Sequence, residues 1–161
     1  MPLAQLNVAR MKAPLESPVM AEFVARLEAI NRLADAAPGF IWRLQSDEGD
    51  ATSLRPMGED MLVNMSVWSD ADALANFVYR SAHSAVMRRR RDWFERLAEA
   101  YLVLWWVPAG HRPSIEEAIA RLELLRCRGP SPAAFNFRAL YGPNGTPAHD
   151  SGAFRDPCPA T

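Results

Sequence analysis

Residues 61–83 read MLVNMSVWSDADALANFVYRSAH, and this stretch decides the fold. Val63, Met65 and Val67 alternate with Asn64, Ser66 and Trp68, the period of two expected of a strand over 61–68. Ser69-Asp70 follows as the cap of a short helix ending near Tyr79. Upstream, SDEGDATSLRPMGED (46–60) has the glycines and polar residues of a long loop, and FIWRLQ (40–45), set off by Pro38-Gly39, reads as a strand. Further back, Ser17-Pro18 opens a helix over 18–35 with apolar positions at Met20, Phe23, Val24, Leu27, Ile30 and Ala34. Residues 3–10 alternate again, Leu6 and Val8 against Gln5 and Asn7.

Downstream, a second and longer helix is expected to run from about residue 80 to Leu97. YLVLWWVP (101–108) reads as a strand buried on both faces. Ser114 and Glu117 form a capping box for a last helix that ends at Gly129. The order β-α-β-β-α-β with an extra C-terminal helix is the ferredoxin-like plan, an α+β fold with a four-stranded antiparallel sheet. Residues 1–129 form the domain, and 130–161, rich in proline and glycine, form an irregular tail that Phe135 and Phe137 can pin to the body. The apolar sets of the first and third strands are expected to face the helices. The polar sets, Gln5 and Asn7 with Asn64 and Ser66, are expected on the second face, where two copies in a homodimer would enclose a partly polar cavity.

At 161 residues with 49% hydrophobic and 23% charged side chains, the chain holds one core and is not a disordered or fibrous protein. A net charge of −1 argues against a general nucleic-acid binder, and all basic residues but Lys12 are arginine. No apolar run approaches membrane-spanning length, and the start, MPLAQLNVAR, lacks the basic and apolar segments of a secretory signal, so a cytoplasmic location is expected. Cys127 and Cys158 have no metal or redox spacing, and no set of three histidines emerges from His83, His111 and His149. Nucleophile elbow, phosphate loop, dinucleotide fingerprint and paired carboxylates are all missing.

The remaining chemistry lies in a few side chains. With 100° per residue, His83, Val86, Met87, Arg90, Trp93, Phe94 and Leu97 share one stripe, whose centre is Arg90; Arg88 points the opposite way. An inward guanidinium needs a carboxylate, carbonyls or a ligand anion, or it packs structurally with its stem on apolar surface. His83 is of the type that moves protons near neutral pH or ligates a metal, and serves equally as a satisfied structural residue. Asn7, Asn64 and Ser66 are suited to hydrogen-bonding a phenol or enolate oxygen, or one another. One or two of Trp42, Trp68, Trp105 and Trp106 are expected in a cavity, the rest in the core.

The opening LAQLNVAR, the stretch LVNMSVWSDADALANFVYRSAH and the run VMRRRRDWF followed by LVLWWVPAGHRPS resemble a bacterial domain-of-unknown-function family, number 3291, over residues 3–138. The resemblance implies a dimeric α/β barrel. Among its wider relatives are cofactor-independent antibiotic-biosynthesis monooxygenases and haem-degrading monooxygenases. Carried over by position from the haem-degrading proteins, Asn7 is the amide, His83 the histidine and Phe77 the aromatic, where those proteins have tryptophan. The expectation is a monooxygenase-like, or isomerase- or cyclase-like, enzyme without a cofactor, acting on a small aromatic or polyketide-like molecule. His83, Asn7 and Arg90 are its expected catalytic groups, and Asn64, Ser66, Trp68, Phe77, Arg43 and Trp105 its substrate contacts. The alternatives are a haem protein with His83 as axial ligand and a non-catalytic small-molecule-binding module.

Overall fold

The computed structural model describes residues 1–148. Four antiparallel strands, β1 (Leu3–Arg10), β2 (Phe40–Arg43), β3 (Met61–Trp68) and β4 (Leu102–Trp106), form one sheet in the order β2-β3-β1-β4. With α1 (Ala21–Asp35) between β1 and β2 and helices between β3 and β4, this is the ferredoxin-like arrangement. A 3-10 turn, Pro18–Met20, leads into α1. The Ser17 side chain does not cap it; its buried hydroxyl finds no hydrogen-bond partner among the described residues. Asp70, by contrast, accepts from the Ala73 amide at 2.8 Å and starts α2 (Ala71–Arg80). Gly39, at φ +82°, lets the turn before β2 dock on that helix start, where a Cβ would lie 2.5 Å from Ala73 and Ser69.

The long helix expected up to Leu97 is broken. It is replaced by α3 (His83–Arg88) and α4 (Arg90–Trp93), joined at Arg89. Phe94 then turns extended to pair with Met11, and the Glu95 amide donates to the Arg10 carbonyl at 2.8 Å. The chain thus exchanges further helical turns for a backbone bridge just past the end of β1, a tertiary choice that helical periodicity does not encode.

The two sheet faces are covered in the opposite sense to that expected. Ala4, Leu6 and Val8 with Val63, Met65 and Val67 pack under α5 (Ile115–Arg128), together with Leu44 just after β2 and with Leu54 and Met57 of the long loop. This apolar face is closed within one chain. The face carrying Gln5, Asn7, Asn64 and Ser66 lies beneath α1 to α4, with a partly polar cavity between them. Ser114 Oγ accepts from the Glu117 amide at 3.0 Å, but the Glu117 carboxylate turns away to bond Trp105 and His111 instead of completing the box. Past Gly129 the chain is irregular but packed: Phe135 is fully buried and its backbone exchanges two hydrogen bonds with Leu104 on β4. Phe137 is buried as well, and the Trp106 indole donates to the Tyr141 carbonyl at 2.7 Å. His149 and Cys158 lie outside the described residues.

Candidate functional site

A cavity of about 220 Å³ separates the mixed sheet face from the helices. It exists because α1 stands off from β1 and β3. Phe23, Leu27, Ile30 and Asn31 line the cavity from above, and among the α1 residues only Ala34 is buried. The apolar stripe of α1 stays half-exposed over this cleft.

The floor is built by strand register. Gln5 stands opposite Ser66 and Asn7 opposite Asn64, so four polar side chains occupy neighbouring positions on one face. Gln5 Nε2 donates to Asn64 Oδ1 at 2.7 Å and to Ser66 Oγ at 2.9 Å. Trp68 Nε1 donates to the same Ser66 oxygen at 2.8 Å. Asn7 lines the cavity, half-buried, beside this network.

An aromatic column forms one wall. Phe40 meets Trp68 edge-on at 5.5 Å, Trp68 stacks on Phe77 at 5.1 Å, and the Phe77 ring lies 4.8 Å from that of His83. His83 Nδ1 is buried with no hydrogen-bond partner among the described residues. Burial pushes the His83 imidazole below its ordinary value of 6.5, offset in part by the Val78 carbonyl. A neutral imidazole at neutral pH is a competent proton acceptor.

Arg90 also lines the cavity. Its guanidinium lies 4.5 Å over the Tyr101 ring and 5.7 Å from that of Phe94, and it donates to the Val8 carbonyl at 3.3 Å. His83, Val86, Met87, Trp93 and Phe94 line the same space despite the helix break. Arg43 stands at the rim, paired with Asp35 at 2.7 Å and donating to the Gly49 carbonyl at 2.8 Å.

Trp105 does not belong to the site. Its register partner on β1 is Ala4, which places it on the apolar face, where its indole donates to Glu117 at 3.0 Å. The two hydrogen bonds that Glu117 accepts from Trp105 and His111 hold its carboxyl below the usual range against burial, the largest single influence on it. Of the expected site residues, Asn7, Asn64, Ser66, Trp68, Phe77, His83, Arg90 and Arg43 come together around one cavity. Asn31, Tyr79 and Tyr101 line it too and went unnoticed in the sequence. Asn31 carried a signal, being a polar residue four positions after Leu27 and three before Ala34 on an apolar stripe. Tyr101 was hidden in an otherwise apolar strand run.

Among the described residues, no three His, Cys, Asp or Glu side chains converge as a metal-binding set. The cavity volume lies below the roughly 300–1,000 Å³ typical of sites for drug-sized ligands. No helix among the described residues is long and apolar enough to cross a membrane.

No curated protein matches the chain. Among solved structures, it is similar to the cofactor-independent oxygenase SnoaB from Streptomyces nogalater, with 16% identity over 72% of this chain and 98% of that one (TM-score 0.46). A protein of unknown function from Nitrosomonas europaea is similar at 14% identity, over 70% and 95% of the two chains (TM-score 0.47). A dabb family protein with a ferredoxin-like fold from Mesorhizobium loti is similar at 16% identity, over 68% and 100% (TM-score 0.43). The family described as Domain of unknown function (DUF3291) matches residues 2–151, nearly the whole chain, and to that family this protein belongs.

Proposed function

We propose that the cavity binds a small, electron-rich aromatic phenol and that the protein catalyses its oxygenation by dioxygen without a bound cofactor. The observation that carries this reading is the pairing of Asn7 with Asn64 on the floor of an aromatic cavity whose wall holds His83 with a buried, unpartnered Nδ1. His83 takes the phenolic proton. The asparagine amides hydrogen-bond the oxygen on which charge develops, and Arg90 stabilises negative charge nearby. The phenolate ring supplies all the electrons: the ring carbon loses its hydrogen and gains one oxygen atom as a quinone carbonyl, and the second oxygen atom leaves as water.

The test is incubation with 1-naphthol and other simple phenols under oxygen-18 gas, with mass spectrometry of the product. One labelled oxygen in the quinone, lost in His83→Ala and kept in Arg88→Ala, is the expected result. Phenols that bind but are never oxidised would make the cavity a binding module.

A further inference from the structure

The polar floor has a polarity of its own, set by a residue that belongs to its buried side. Gln5 is 6% exposed and spans the diagonal between its register partner Ser66 and the next residue on that face, Asn64. Its Nε2 donates to both. Because Asn64 Oδ1 is taken by Gln5, the Asn64 amide turns its NH2 group away from Gln5. Ser66 Oγ accepts from both Gln5 and Trp68, and an indole nitrogen can only donate, so the hydroxyl has its own proton left to give.

We propose that Gln5 is a positioning residue that sets Asn64 and Ser66 as hydrogen-bond donors toward the cavity, so that the site selects ligands presenting acceptor oxygens, as carbonyls or phenolates, over ligands presenting N–H donors. The proposal rests on the cavity being the binding site and deepens that reading: a donor floor favours the deprotonated phenol before oxidation and the quinone after it. A ligand whose polar group only donates would face the buried Ser66 hydroxyl donor to donor, which costs more than a missing contact.

Three bicyclic probes test this, with binding read by tryptophan fluorescence: 1-tetralone, whose polar atom only accepts; 1-aminonaphthalene, whose polar group chiefly donates; and naphthalene, which does neither. Wild-type protein is expected to bind 1-tetralone about tenfold more tightly than 1-aminonaphthalene, the size of one to two hydrogen bonds. In Gln5→Glu, a carboxylate in the same place accepts from Asn64 and Ser66, turns the Asn64 carbonyl outward and reverses the preference. Naphthalene binding stays unchanged, a separation that a merely structural role for Gln5 would not produce. Should Gln5→Glu fail to fold, Asn64→Asp serves: it keeps an oxygen for the Gln5 amide to donate to, replaces the outward NH2 with an acceptor and cuts the preference for 1-tetralone over 1-aminonaphthalene severalfold. An unchanged ratio of 1-tetralone to 1-aminonaphthalene in the folded variants, or a wild-type preference for 1-aminonaphthalene, overturns the proposal while leaving the cavity in place. Failure of naphthalene and 1-tetralone alike to bind wild-type protein overturns the cavity reading itself.

Discussion

The rings of Phe77 and His83 lie 4.8 Å apart at a tilt of 37°, in a buried position where the imidazolium would lose the water that solvates it. Protonation therefore works against the fold. The folded value lies below 6.5, so the unfolded chain binds more protons as the pH drops past that point, and stability present above it is lost on acidification toward the folded value. Thermal melts at pH 7.5 and pH 5 should show a larger drop in Tm for wild-type protein than for His83→Phe. Equal drops would mean that His83 is not the group responsible.

Arg90 and Arg88 lie two residues apart and should behave very differently. Arg88 is exposed, and Arg88→Ala is expected to change stability by no more than roughly 0.5 kcal/mol. Arg90→Ala removes a charged donor to the Val8 carbonyl and the guanidinium over Tyr101, and should cost about 2 kcal/mol in urea denaturation. Matching losses would show that the short α4 does not present Arg90 inward.

Phe135 lies beyond the last helix, yet it is fully buried and bonded to Leu104 through its backbone. Phe135→Ala should therefore destabilise the protein by about 3–5 kcal/mol, the range of a core aromatic truncation. A melting curve like that of the wild type would return this segment to the status of a loose arm.

Affinity for 1-tetralone should be the same whether measured at low or high protein concentration, because α1 to α4 already roof the sheet face that carries the polar floor. An affinity that rises with protein concentration, in parallel with dimer formation by light scattering, would show that a second copy completes the site.

The element order was legible because alternation in Met61–Trp68 and the Asp70 cap are local signals. Which helices cover which face was not. Alternation sorts Val63, Met65 and Val67 from Asn64, Ser66 and Trp68, but the apolar set is satisfied equally well by α5 as by α1 and α2, and nothing local in 115–128 says where that helix goes. Trp105 shows the same limit, since its face depends on the register of β4 against β1, and a slip of one residue would have moved it into the cavity. The break at Arg89 has no glycine or proline to announce it. There the pairing of Phe94 with Met11 outweighs a helical pattern that continues on paper to Leu97.

The half-exposed stripe of α1 has a calorimetric consequence. Phe23, Leu27 and Ile30 face a cleft that water can enter, and a ligand filling it would dry them together. Binding should then carry a distinctly negative heat-capacity change even for a ligand held by only two or three hydrogen bonds. Its enthalpy would grow more favourable with each degree of warming.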